Sequence, residues 1–325
     1  MSKVSSRKAI TMGAIILFAI AMFPVFVKSK YYLTLGCQAM LYSILALGMN
    51  FIVGMSGLIN LGAAAVYGLG AYTSALLSKA GVNPWLCLFP VVAMGWMVGK
   101  GLGYPSLRLK GFYLSLTTIG FNEIVRNLLL NLQFTGAGAG VRSIPVYSIF
   151  GFEFNTQIRS YYLICVTLAI MILISLRIVR SKWGRAFIAS KDSPEALEVC
   201  GINLASVKVT AFTLSSIFGC VAGAMYAHFY HYIAATTFTT ALSNSFIIMM
   251  IVGGLGNYYG CIFGAYVVAF LPELMRPIGT TYKFFYAILM MVTVVFFPNG
   301  VLIDVRRYIG ELLHRNQNLE GDVDQ

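Results

Sequence analysis

Long uncharged apolar runs recur from one end of this chain to the other, each close to the roughly 20 residues a helix needs to cross a bilayer. Inside hydrocarbon every backbone N–H and C=O must find a partner within the protein, so isolated runs of this kind fold as helices. With 58% hydrophobic and only 10% charged residues, a soluble globular domain is excluded. The expected fold is all-α, a polytopic integral membrane protein of about ten transmembrane helices with both termini cytoplasmic. The spans read approximately 9–27, 31–53, 57–78, 84–103, 112–132, 160–178, 209–230, 241–257, 260–275 and 283–303. The third, and the eighth to ninth, are open to a break or a re-entrant turn. Residues 1–8 and 304–325 then form cytoplasmic ends around one transmembrane domain, 9–303, which carries a cytoplasmic loop at 179–208.

The net charge of +12 does not indicate nucleic acid, because the basic residues are scattered at span ends without a stripe that could follow a phosphate backbone. Topology explains them better. With both termini inside, the inner segments hold 15 Lys and Arg and the outer ones 7, the bias expected of cytoplasmic loops. Lys3, Arg7 and Lys8 ahead of Ala9–Val27 resemble a signal peptide, but the apolar run is too long and Val27-Lys-Ser-Lys30 is no cleavage site, so a retained first span is expected.

The longest polar interruption, Arg177 to Lys208, carries six positive side chains and is therefore placed in the cytoplasm. Within it, Asp192-Ser-Pro-Glu-Ala-Leu-Glu-Val-Cys-Gly201 reads as a short, delimited helix. Asp192 is placed to cap it with Glu195 reaching back, Pro194 suits the first turn, and Gly201 suits a left-handed stop. Ala196, Val199 and Cys200 would form a small apolar face with Leu197 beside it. Two helical turns are not stable alone, so this segment needs a surface to lie against.

Glycine is concentrated at Ile52–Leu77 and Ile251–Leu271. Gly256, Gly260 and Gly264 suit close helix packing through small residues. The alternative is that glycines such as Gly62, Gly70, Gly254 and Gly256 break helices where they line a solute path, with Asn60 beside them. Glu123 and Arg126 are opposite charges placed well inside the fifth span, three residues apart and able to pair. They form either a structural ion pair or part of the path or its gate.

No catalytic constellation emerges, and an enzyme is not expected. His228 and His231 form an H-x-x-H pair without a carboxylate or cysteine close in sequence to complete a metal site. The six cysteines stand singly, with no C-x-x-C pair, and suggest neither disulfides nor a metal. No phosphate-binding G-x-x-x-x-G-K-[ST] loop occurs; if ATP drives this chain, another subunit must bind it.

Glu195-Ala-Leu-x3-Gly201 resembles the coupling loop of ATP-binding cassette importer permeases, with Leu197 where the family pattern has a second alanine. An ordered set extends the likeness: Gly57-Leu-Ile-Asn-Leu-Gly62, Gly70-Ala-Tyr-Thr73, Leu109-Lys-Gly-Phe-Tyr-Leu through Glu123-Ile-Val-Arg126, Trp183-Gly-Arg-Ala186, Gly201-Ile-Asn203, Gly253-Gly-Leu-Gly256 and Pro298-Asn-Gly300. Together they resemble the LivM-type permeases of branched-chain amino acid importers. The resemblance implies a multi-pass protein of a prokaryotic inner or cytoplasmic membrane. It also implies pairing with a second related permease, two cytoplasmic ATPase subunits that hydrolyse ATP, and an extracytoplasmic solute-binding protein. This chain itself would bind no cofactor. Asp192, Pro194, Glu195, Ala196, Leu197 and Gly201 would belong to the ATPase-coupling helix. Related permeases carry urea or short amides, so such solutes are the alternative cargo; an ion-coupled secondary transporter is a further one, for which Glu123 is nearly the sole candidate relay.

Overall fold

The computed structural model describes residues 20–24, 29–107, 109, 111–149, 152–276, 288 and 291. Expectations for the ends 1–8 and 304–325, for Arg108 and Lys110, and for almost all of the tenth span lie outside these residues, as does most of the first.

The described residues are helical almost throughout. Helix α1, Lys30–Met49, runs on without a break into a wider π-helical turn, Asn50–Met55. It is followed by α2, Ala63–Lys79; α3, Leu88–Ser106; and α4, Phe112–Asn131. A loop with three two-residue strands, β1 Val141–Arg142, β2 Ser148–Ile149 and β3 Phe152–Glu153, leads to α5, Gln157–Arg180. Two short helices come next, α6 Lys182–Asp192 and α7 Pro194–Val199, then the long α8, Leu204–Tyr230. Strand β4, Tyr232–Ile233, pairs antiparallel with β1, and the hairpin α9 Thr240–Gly253 and α10 Tyr258–Met275 completes the described chain.

Among the described residues, four helical segments are long and apolar enough to cross a membrane: Lys30–Met55, Gln157–Arg180, Leu204–Tyr230 and Tyr258–Met275. Helix α9, at 14 residues, reaches only about 21 Å and is too short for a full crossing. The eighth and ninth spans are thus separate elements, reversed by a turn in which Gly254 (φ +99°) and Gly256 (φ +83°) adopt conformations disfavoured for other residues. The third span also differs from expectation. Its helix begins at Ala63, not near 57, because Gly57 (φ +68°) turns the chain and residues 57–62 climb without regular structure.

Helix α8 is the axis of the molecule. Gly95, Gly99 and Gly103, one turn apart on α3, lie against the backbone of Ile217, Thr213 and Val209 on α8. Gly70 of α2 meets the backbone of Cys220, and Gly223 of α8 meets that of Tyr67. A Cβ at Gly95 would stand 2.8 Å from Ile217 Cα, so the axes approach as closely as backbone permits. The α9–α10 hairpin uses the same device, Gly253 against Gly260 and Gly264 against Met249, so packing is the role of Gly260 and Gly264.

The bundle has two distinct ends. At one lie α6, α7, the π-helical turn and the α9–α10 turn; this end carries the basic loop. At the other lie β1–β4 and the loop before α5, joined to the bundle by buried His228, whose ring nitrogens meet Ser74 Oγ at 2.8 Å and the Pro145 carbonyl at 2.6 Å. His231 Nδ1 lies 3.1 Å from the Ile144 carbonyl, so both histidines are engaged by the loop. Among the described residues, no group of three or more metal-ligating side chains forms.

Candidate functional site

At the basic end, α6 was not foreseen as a helix. Ser181 Oγ accepts the Trp183 N–H at 3.1 Å, and Gly184, Ala186, Phe187 and Ser190 form the buried face. Phe187 packs on Phe51 of the π-helical turn with ring centroids 6.2 Å apart. The stem of Lys191 lies over Gly57, and its Nζ donates to the Gly54 carbonyl at 3.5 Å. The basic loop therefore rests directly on the point where α1 hands over to the climbing segment 57–62.

Helix α7 begins with Pro194, as its sequence implies, but Asp192 does not cap it. Helix α6 continues through Asp192, which gives that residue a helical backbone, and Ser193 takes the cap position with no side-chain bond. The reciprocal Asp192–Glu195 arrangement is accordingly absent; Glu195 sits in the first turn, where a negative charge complements the helix dipole. The stop matches the sequence reading. Gly201 (φ +76°) donates its N–H to the Glu198 carbonyl at 2.9 Å, and Ile202 N–H donates to the Leu197 carbonyl at 3.2 Å, a complete Schellman motif.

The faces of α7 are sorted sharply. Leu197 is its buried residue, whereas Ala196, Val199 and Cys200 point outward, Val199 with 88% of its surface exposed. Beside the Gly201 stop opens a hollow of about 460 Å³ lined by Leu107, Glu198, Ile202, Asn203 and Lys208. One leucine anchors the helix while its small apolar face is left for something else.

Deep in the bundle a second polar site forms where two helices begin. Leu61 N–H donates to Thr118 Oγ1 at 3.0 Å, Gly62 N–H to Asn60 Oδ1 at 2.9 Å, and Ala64 N–H to Ser243 Oγ at 2.9 Å. These bonds satisfy the backbone where the climbing segment becomes α2. A Cβ on Gly62 would stand 3.0 Å from the Thr118 carbonyl, which explains glycine there. On α4, one turn above Thr118, Asn122 Nδ2 donates to Thr240 Oγ1 at 3.3 Å, and Thr240 Oγ1 donates to Glu123 Oε1 at 2.6 Å. Arg126 Nη1 lies 3.4 Å from Glu123 Oε2, so the expected pair forms.

Sequence comparison fits this architecture. Residues 31–296 match the family model described as branched-chain amino acid transport system / permease component. The chain belongs to that permease family. It is 33% identical over 302 residues to the high-affinity branched-chain amino acid transport system permease protein LivM of Escherichia coli K12, covering 85% of this chain and 71% of that protein. The corresponding protein LivH of the same organism is 24% identical over 287 residues, covering 80% and 91%. A probable LivM of Methanocaldococcus jannaschii is 21% identical over 313 residues, covering 81% and 90%. No solved structure matches the chain.

In this permease the residues singled out from sequence fall into separate places. Pro194, Glu195, Ala196, Leu197 and Gly201 share α7. Asn60, Gly62, Glu123 and Arg126 belong to the deep polar site. Gly70, Gly254 and Gly256 are elsewhere: Gly70 is buried in the α2–α8 contact, which a helix-breaking role does not fit, and the other two form the α9–α10 turn. Thr118, Asn122, Thr240 and Ser243 were missed. For Thr118 and Asn122 a signal was available, since each is a polar side chain within the same apolar run as Glu123; Thr240 and Ser243 are set apart only by the groups they meet across the bundle.

Proposed function

We propose that this permease carries branched-chain amino acids into the cytoplasm across the cytoplasmic membrane, in a complex with a second related permease, two ATPase subunits and an extracytoplasmic binding protein. The cargo follows the names of the relatives, all of which are branched-chain amino acid transport permeases. ATP is hydrolysed by the partner subunits, and α7 with Glu195, Ala196 and Val199 seats in an ATPase groove.

The observation that carries this reading is the orientation of α7. A two-turn helix has little stability of its own. Here it is fixed by Leu197 on the inner side and by the Gly201 stop, yet it turns Ala196, Val199 and Cys200 to solvent. Such a helix moves as a body, so a push on it reaches α6 and then the turn of α1 through Phe187–Phe51 and Lys191–Gly54. From there the chain leads straight through residues 57–62 to the deep polar site.

Glu195→Lys tests it. Reversing this exposed charge is expected to leave membrane insertion intact, while ATPase copurification and leucine uptake both fall. Normal copurification together with normal uptake counts against the docking surface.

A further inference from the structure

The deep polar site has groups left over. Asn122 is fully buried, and its Nδ2 is used by Thr240, but its Oδ1 has no hydrogen-bond partner. Arg126 Nε is likewise buried and unpaired, although Nη1 of the same guanidinium reaches Glu123. An unsatisfied buried acceptor and an unsatisfied buried donor each cost about 1–3 kcal/mol, and these two are set apart from the other unpaired buried groups among the described residues by standing beside an ion pair. They differ in sign. Asn122 Oδ1 wants a donor and Arg126 Nε wants an acceptor, which is the pattern an ammonium and a carboxylate on one small molecule would satisfy.

Depth and exposure support this. Glu123 stands eleven residues beyond Phe112, roughly 16 Å up α4 and near the middle of a core ~30 Å thick. Its side chain is 38% exposed and that of Arg126 31%, so the pair is not sealed inside the bundle. It opens onto a mixed face of α4, where Thr117, Gly120, Asn127 and Asn131 alternate with exposed Leu116, Ile124 and Leu128. The two charges at its edge are costly against lipid and belong beside water or another protein. The adjoining N-terminal end of α9, capped by Thr239, sets Thr240 on the same carboxylate.

We propose that Glu123 and Arg126 form a zwitterion station halfway along the passage, at which Glu123 takes the α-ammonium of the cargo and Arg126 takes its α-carboxylate, while Asn122 Oδ1, sealed behind Glu123 in this structure, joins the ammonium when α4 and α9 part. Thr240 is a positioning residue that holds the Glu123 carboxylate toward the open face. Apolar side chains of different shapes would then pass the same station, because only the shared amino-acid head is held. The ion pair in the empty station keeps each charge compensated, and the cargo exchanges one pair for two. This inference rests on the amino-acid permease reading above.

The test uses the whole complex in proteoliposomes, with L-leucine as the probe and uptake normalised to assembled complex. Glu123→Gln, Arg126→Gln and the double variant E123Q/R126Q are compared. If the pair is merely structural, neutralising both partners leaves no unpaired charge, and the double variant recovers what each single one loses. The station predicts the opposite: uptake at least tenfold lower in each single variant and no recovery in the double. Recovery to wild-type uptake in the double variant, or unaltered uptake by Glu123→Gln, overturns it. Should a single variant fail to assemble, the doubly neutral one still decides. If the wild-type complex itself takes up no leucine, it is the permease reading that fails, independently of the station.

Discussion

Asn50 Oδ1 accepts the backbone N–H of Gly256 at 3.0 Å, tying the π-helical turn of α1 to the reversal between α9 and α10 across 206 residues of sequence. Asn50 is buried, and the neighbouring Gly54 leaves it room, since a Cβ there would collide with the Asn50 side chain. This one bond joins the element under the basic loop to the helix that carries Thr240 and Ser243. Asn50→Leu is expected to strand the Gly256 N–H, lower stability by about 1–3 kcal/mol and reduce uptake. Gly54→Ala should do the same through the collision. Thermal unfolding in detergent together with leucine uptake checks both; wild-type values for both variants would remove Asn50 from the force path.

The glycine row of α3 supplies an internal control. Gly99 lies against Thr213 of α8 with no space for a Cβ, whereas Gly101 on the same helix has nothing within 4 Å. Gly99→Val should destabilise by about 1–3 kcal/mol or more through forced separation of the helices. Gly101→Ala should be neutral or slightly stabilising, since alanine favours the helix by up to about 1 kcal/mol. Melting temperatures of the two purified variants, measured side by side, read the contrast.

At the end of α7, Gly201 is in open space but at φ +76°. Conformation, not crowding, therefore requires glycine. Gly201→Asn should retain most ATPase copurification, because asparagine tolerates this region, while Gly201→Val should lose it through strain of about 1–2 kcal/mol on a helix that has little stability to spare. Equal copurification of both variants with the ATPase subunits would show that the stop does not matter to docking.

Much of this organisation could be read from the residues alone. Apolar run length gave the helical, polytopic character, and four of the described segments are long and apolar enough to cross a membrane; the Glu123–Arg126 spacing gave a pair that forms. Gly201 announced its left-handed turn. Asp192 misled for a physical reason: a capping side chain works only on a non-helical backbone, and α6 extends far enough to deny it one. Helix α6 was hidden because its buried face, Gly184, Ala186, Phe187 and Ser190, has one large apolar residue among small ones, and the positive charges around it keep the segment polar on average. The deep polar site was half visible. Asn60 and Glu123 stood out within the sequence, but Thr240 and Ser243 matter because of what lies opposite them, and an apolar run does not state its neighbour.

If ATPase motion enters this permease through α7, as proposed above, the outer face of that helix touches an ATPase subunit in the assembled complex. A cysteine at position 199 in a Cys200→Ser background places one thiol at the most exposed point of that helix. In membranes holding the assembled complex, Val199→Cys is predicted to crosslink to an ATPase subunit under mild oxidation or with a short bifunctional reagent, given a cysteine on the facing groove. Absence of any crosslink from position 199 to the ATPase subunits, in a complex that still takes up leucine at the wild-type rate, would contradict the account.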